Sequence, residues 1–333
     1  MPRLPRRFRV FGVAAAAALL AAGCSGSGGG SGAVGGLEQT NLVVAAVPAI
    51  DSAGLYIAEQ RGFFAQEGLH VSIVRAASSS DVISKQLAGQ YAITAGAYPS
   101  YIAADVNKNA DFRVLVSGSQ LAPSVQQIVV PARSKVTKMS QLAGQTIGVN
   151  ALNNVGTLLV TSMLSDNAIA AKAANGQPNY NFKVIQFPDM GQALNSGQVG
   201  AAWLPEPFIT EDEETYGVQP LADADEGQAE SLPIEGYVVT QSWLDKNPHT
   251  AEAFRIALEK AQAIAATNQD AVQSAMTAFA GVRPMAADVL ATPDYPTTTQ
   301  AGPLQRVVSL MVGENMIKQG YNARNLIAKI PSG

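Results

Sequence analysis

The stretch from Leu42 to Ile73 constrains this chain more than any other. LVVAAV (Leu42 to Val47) is a short continuous apolar run, the pattern of a strand covered on both faces. GLYIAEQRGFFAQEGLHVSI (Gly54 to Ile73) follows it. Leu55, Ile57, Ala58, Phe63 and Phe64 give this segment the buried side of a helix, and Ser52 can cap it. Gly68 suits a left-handed residue after the helix end. Leu69 then falls where a Schellman motif places its hydrophobic contact, opposite Phe64. Leu69, Val71 and Ile73 alternate as a second strand. Strand, helix, strand means a crossover, and crossovers build parallel sheets.

The alternation continues. SSSDVISKQLAG, YPSYIAADVNK, MSQLAG and VGTLLVTSMLSDNAI read as helices, with Pro99 in the first turn of the second. YAITAG, FRVLVSGS, VQQIVVP, QTIGVN, FKVIQF, GAAWL and GYVVTQ read as strands, and Ile209 to Thr215 as a solvated helical face. From Asn247 the chain turns mainly helical. Asn247 caps, Pro248 starts, and Phe254, Ala257, Leu258, Ala261, Ile264 and Ala265 make a stripe. Leu304, Val307, Val308 and Met311 repeat the spacing in a last helix that runs to Gly320. The fold class is therefore α/β with a helical C-terminal part.

The first residues stand outside this pattern. Four arginines, an apolar run too short to span a bilayer and small residues before Cys24 read as a signal peptide, residues 1–23. LAAGC resembles a lipobox, so lipidation is expected at Cys24, the only cysteine; simple cleavage with Cys24 a bystander is the alternative. Residues 24–36 are then a Gly/Ser tether. A lipid and a leash are the only membrane attachment expected, which puts the domain on the extracytoplasmic face. Losing four arginines takes Lys+Arg from 22 to 18 against 26 Asp+Glu, a net charge of −8. That argues against nucleic acid as a partner.

Catalytic patterns are missing. The two histidines, His70 and His249, have no Cys or His at metal-ligand spacing, so no metal and no cofactor are expected. No G-x-S-x-G or phosphate-cradling glycine motif occurs. The informative residues lie where strands end and helices begin, because ligands of open α/β sheets bind beyond the carboxyl ends of the strands. Helix N-termini there expose N–H groups and partial positive charge. Asp51, Ser52 and Gly54 follow the first strand, with Gly54 letting a ligand approach the backbone. Arg75 ends the second strand, before Ser78 and Ser79. Gly96 and Tyr98 follow the third; Tyr98 has no capping acceptor, which leaves the Ser100 and Tyr101 amides open to a guest. Asn150, Asn153, Asn154, Gly156 and Thr157 follow QTIGVN, and Trp203 and Glu206 end GAAWL. Each has a plainer role open to it: helix cap, core aromatic, exposed charge.

The chain resembles the solute-binding proteins of ABC importers, in the nitrate/sulfonate/taurine and thiamine-pyrimidine-precursor group. GLYIAEQRGFFAQEGLHVSI carries the resemblance, with LAGQYAITAGAY (Leu87 to Tyr98), MSQLAGQTIGVN (Met139 to Asn150) and WLPEPF (Trp203 to Phe208) following in the family's order. The resemblance implies a two-lobe periplasmic-binding-protein type II fold, each lobe a mostly parallel sheet flanked by helices. Lobe I is expected over residues 37–131 plus 236–333 and lobe II over 132–235. It implies lobe closure over a small-molecule ligand, ABC permease and ATPase subunits as partners, a monomer, and no catalysis. Helix N-termini and serines, with Arg75 as counter-charge, suit a sulfonate or nitrate. Glu206 suits the ammonium of taurine, and Tyr56, Tyr98 and Trp203 suit a planar pyrimidine. An enzyme of the same superfamily and a surface sensor stay open as other readings.

Overall fold

The computed structural model describes residues 36–108, 110–172, 178–318 and 320–330. The signal peptide, Cys24 and the tether up to Gly35 lie outside them. No helix among the described residues is long and apolar enough to cross a membrane.

The chain runs β1 (Asn41–Ala46), α1 (Ala53–Gln60), α2 (Phe63–Gln66), β2 (His70–Arg75), α3 (Ser79–Leu87), β3 (Ile93–Ala97), α4 (Tyr98–Lys108) and β4 (Phe112–Gln120). It continues with β5 (Gln126–Val130), β6 (Thr146–Val149), α5 (Val155–Asp166), β7 (Asn181–Val184), α6 (Phe187–Asn195), β8 (Ala201–Pro205), α7 (Phe208–Tyr216) and β9 (Gln219–Asp223). It closes with β10 (Pro233–Thr240), α8 (Gln241–Leu244), α9 (Pro248–Ala265), α10 (Gln269–Ala275), α11 (Pro284–Ala287) and α12 (Ala301–Gly313).

Two five-stranded sheets result, ordered β2-β1-β3-β10-β4 and β7-β6-β8-β5-β9. The two follow one plan. Three parallel strands lie beside one strand antiparallel to both its neighbours: β10 in the first sheet, β5 in the second. Each lobe is one sheet with its helices, the type II arrangement expected from the sequence. The chain leaves the first sheet after Gln120 and joins the second at Gln126, earlier than the expected passage after Pro131. It returns between Asp223 and Pro233. The apolar run VQQIVVP carries no mark of which sheet it joins; its pairing with β8 and β9 decides that.

The opening unit folds as its residues dictate. Gly68 has φ +77°. Its N–H bonds the Ala65 carbonyl at 3.1 Å and the Leu69 N–H bonds the Phe64 carbonyl at 2.9 Å, the two bonds of a Schellman motif. Phe64 and Leu69 are both buried, and Phe64 stacks on Phe254 of α9 with ring centroids 5.1 Å apart. Burying each such side chain contributes roughly 1.5–3 kcal/mol. The expected single helix is broken, however: Gly62 is left-handed, with φ +68°, and separates α1 from α2.

Other local expectations give way to tertiary partners. Asn247 makes no side-chain cap to α9. Glu38, 211 residues earlier, accepts the His249 N–H at 3.2 Å, while its second carboxylate oxygen accepts the Thr250 N–H at 2.9 Å. A carboxylate outranks the amide there because it also meets the positive end of the helix. α7 is not wholly solvated, since Ile209, Thr210 and Asp212 are buried. α12 ends at Gly313, seven residues short of Gly320.

Candidate functional site

The carboxyl ends of β1, β3, β6 and β8 converge where the two lobes meet. A cavity of about 30 Å³ lies there. The first lobe lines it with Val47, Ala49, Asp51, Ser79, Ala97 and Glu235. The second supplies Gln126, Asn150, Asn154, Phe187, Trp203 and Pro205. That volume holds two or three waters at most, so an organic solute needs the lobes further apart than they stand here. A wider groove of about 660 Å³ passes Asn41, Gln90 and Trp243. It lies at the amino end of β1, the wrong end for an α/β binding site.

The register explains the first wall. Glu235 pairs with Ala97 of β3 on one side and with Ser119 of β4 on the other. Asp51 stands in a 3₁₀ turn, Ile50–Ser52, beyond β1. Ser119 Oγ donates to Asp51 Oδ1 at 2.5 Å and Ser52 Oγ donates to Glu235 Oε1 at 2.5 Å. Both carboxylates are 4% exposed. Burial raises the Asp51 pKa, opposed by the Ser119 hydroxyl. Burial lifts Glu235 well above the carboxylate range, and the neighbouring Asp51 charge adds to the lift. Ser52 therefore does not cap α1, as its position suggested; its hydroxyl serves a carboxylate 183 residues away.

Several backbone amides at these strand-to-helix turns, though not those of Ser100 and Tyr101, are occupied by the chain itself. Tyr237 hydroxyl accepts the Leu55 N–H at 3.1 Å in the first turn of α1. Ser78 Oγ accepts the Asp81 N–H at 3.3 Å, and Ser79 Oγ accepts the Ala97 N–H at 3.0 Å. Asn154 and Thr157 close a capping box: Asn154 Oδ1 accepts the Thr157 N–H at 3.1 Å and Thr157 Oγ1 accepts the Asn154 N–H at 3.0 Å. Asn154 Nδ2 also donates to Asn150 Oδ1 at 2.8 Å. The side chains lining the cavity include the acceptors Asp51, Glu235, Gln126 and Asn154.

Three glycines expected near ligand serve close packing instead. A Cβ on Gly54 would stand 1.8 Å from Gln262 Oε1. The Gln262 amide donates to the Ser117 and Gly118 carbonyls at 2.8 and 2.6 Å, so Gly54 makes room for a side chain that holds β4. A Cβ on Gly156 would stand 2.5 Å from the Trp203 ring, and one on Gly96 would stand 3.1 Å from both Ser79 Oγ and Tyr101 hydroxyl.

The remaining expected residues divide. Trp203 lines the cavity at 2% exposure, its ring 5.7 Å from that of Phe187, and its indole N–H has no partner. Asn153 is exposed, with φ +54°, and borders a different groove with Ser80 and Met316. Tyr56 is buried and stacks on Phe279 at 5.4 Å, outside the cavity lining. Tyr98 is buried under β10, its ring against Gly236. Arg75 is exposed and its guanidinium donates to the Phe279 carbonyl, so it is no counter-charge in the cavity.

Glu206 is buried but spends its oxygens on structure. Oε2 accepts the Thr210 N–H at 3.2 Å and Oε1 accepts the Thr210 hydroxyl at 2.9 Å, holding the start of α7. Across the lobes, its backbone carbonyl accepts the Ile50 N–H at 3.1 Å and Oε1 meets the Ala291 N–H at 3.5 Å. Burial pushes its pKa up to about 7, with the Thr210 donors opposing.

Glu235, Gln126 and Ser119 went unnoticed in the sequence. The strand-end rule looks at carboxyl ends, whereas Glu235 and Gln126 stand at the amino ends of antiparallel β10 and β5. A charged residue inside the apolar PIEGYVV was the signal available for Glu235.

Comparison with solved structures places this geometry. The alkanesulfonate-binding protein SsuA from Xanthomonas axonopodis pv. citri, bound to MOPS, superposes with a TM-score of 0.73 at 14% identity, over 88% of this chain and 99% of that one. The periplasmic nitrate-binding protein NrtA from Synechocystis PCC 6803 gives 0.72 at 12% identity, over 87% and 85%. The desulfurization enzyme DSZB gives 0.66 at 17% identity, over 87% and 96%. These likenesses establish the two-lobe fold. No curated protein sequence matches significantly. The model of the family described as NMT1/THI5 like matches residues 49–272, two thirds of the chain, and so takes in the Asp51 turn, β5, β8 and the Glu235 strand: the protein belongs to the NMT1/THI5-like family.

Proposed function

We propose that this chain is the solute-binding receptor of an ABC importer. Its first residues direct export, Cys24 carries a lipid, and the Gly/Ser tether holds the folded part beside the extracytoplasmic face of the membrane. The lobes close over one small organic solute and present it to permease and ATPase subunits. One observation carries this reading: side chains of both lobes, Asp51 and Glu235 on one and Asn150 and Trp203 on the other, wall a single cavity beyond the strand ends. Closure then needs only that the solute bind the closed form better than the open one. Among sulfonates, nitrate, taurine-like amino-sulfonates and pyrimidines, an aromatic wall at Trp203 also accommodates the planar pyrimidine. We read the chain as a binder and not as an enzyme: the fold is shared with a desulfurization enzyme, but the cavity lining holds no histidine or cysteine.

The test is a thermal-shift panel drawn from those four solute classes, followed by uptake in cells carrying or lacking the gene. A true solute raises the melting temperature in proportion to the logarithm of its concentration, with about 2.7 kcal/mol of added stability at a hundred times Kd. It is left unconsumed after incubation, and its uptake falls in the deletion strain. Turnover of the solute by the purified protein would refute the receptor reading.

A further inference from the structure

We propose that the solute presents an ammonium- or amidinium-type N–H end to Asp51 and Glu235, and that plain alkanesulfonates and nitrate are not its class. The inference rests on the receptor reading and names the chemistry of the same site.

The argument is one of donors and acceptors. No lysine, arginine or histidine lines the cavity, and two buried carboxylates do. Glu235 has one hydroxyl donor, from Ser52, and Asp51 has the Ser119 hydroxyl and the Gln126 amide, which leaves acceptor capacity on both. Gln126, 1% exposed and also in the lining, has an Oε1 with no partner. A buried acceptor left unmatched costs about 1–3 kcal/mol. Three acceptor groups face one small space, and an N–H-bearing cation satisfies all three. The Trp203 indole N–H, also unpartnered, is the one orphaned buried side-chain donor in the lining, and it stands on the opposite wall with an aromatic face suited to a flat or cationic group. A sulfonate or nitrate placed here would set a negative group beside two buried acids in a space whose lining holds no cation.

The charge balance fixes the sign of a pH effect. The other titratable groups around Glu235 are Tyr56, Tyr98, Tyr101, Tyr237 and Tyr295, all raised by burial and neutral near pH 7. Glu206 stands behind Ile50, and Arg75 acts on Tyr56 from outside. A cation binds the ionised acids and so releases protons; its affinity rises with pH, by at most tenfold per unit for each proton released. An anion favours the protonated acids, and its affinity falls with pH.

The experiment is calorimetric titration of the purified protein between pH 5.5 and 8.5. The probes are agmatine, putrescine, taurine and 4-amino-2-methylpyrimidine against ethanesulfonate and sodium nitrate. Native mass spectrometry of the protein as purified accompanies it. Support is a nitrogen-bearing probe that binds more tightly as pH rises, or a co-purified molecule with such an end. Glu235→Gln and Asp51→Asn then weaken that binding tenfold or more. Ser119→Ala, which leaves both acids in place, serves if either variant fails to fold, and is expected to weaken binding severalfold. Binding of ethanesulfonate or nitrate that falls with pH, or is untouched by Glu235→Gln, overturns the inference and leaves the receptor reading standing. No binding by any probe together with no co-purified molecule overturns both.

Discussion

The two walls of the cleft are built by opposite means. The first lobe meets the gap with charge and hydroxyls: Asp51 and Glu235, each held by a serine, with tyrosines crowded behind them. The second meets it with rings and amides: Trp203 packed on Phe187 and Gly156, and Asn150 tied to Asn154. One wall stores electrostatic cost, and the other stores packing. The contrast teaches where each lobe can be altered. Truncation harms the packed wall, and neutralisation relieves the charged one.

The largest expected effect breaks the packed wall. Trp203→Ala removes a fully buried ring and is expected to cost about 3–5 kcal/mol, read as a lowered denaturant midpoint. The next effect is one of pH. Glu206 has a folded pKa of about 7 against an ordinary 4.5, so the folded state holds a proton that the unfolded state has lost in that window. Stability contributed by this group is full below pH 4.5 and is lost as pH rises toward 7. Glu206→Gln is expected to flatten the profile by up to about 1.4 kcal/mol per pH unit. Asp212 and Asp105, also raised by burial, to about 7 and about 6, keep part of the slope in the variant.

A gain is expected on the charged wall. Glu235→Gln keeps an acceptor for Ser52 and removes the cost of burying an acid that the unfolded chain would ionise. Its melting temperature at pH 8 should exceed that of the parent by about 2–4 °C, as about 1 kcal/mol brings in a chain of this size. A loss there would mean that the acid is held for stability and the contrast between walls is wrong. Smallest is Glu38→Gln at the start of α9, a remote cap far from the cleft. It should lower the melting temperature slightly, and less so at high salt.

The fold was legible where contacts are local. Gly68 and Leu69 announce their turn because every partner lies within five residues. Asp51, Trp203 and the strand-end rule brought sequence reasoning to the cavity that both lobes line. The rest of the site was hidden because its partners are remote. Nothing near Ser52 says that its hydroxyl goes to Glu235, and nothing near Gly54 names Gln262 as what it must admit. Asn153 and Arg75 sit at the right kind of strand end yet face elsewhere, since a position on the chain does not fix where a side chain turns. The lobe passage was misplaced by a few residues for the same reason: β5 reads alike in either sheet.

The two passages between lobes run side by side, with the Leu121 N–H bonded to the Leu232 carbonyl at 2.9 Å. Gln126 and Glu235 stand just beyond them, which on the receptor reading puts them near the axis of lobe opening. Points beside an axis travel least. On the receptor reading, these two groups keep nearly the same separation whether the cleft gapes or shuts, while Trp203 and Asn150 swing through the wider arc. The newcomer is thus greeted at the pivot first, and the aromatic cover arrives afterwards.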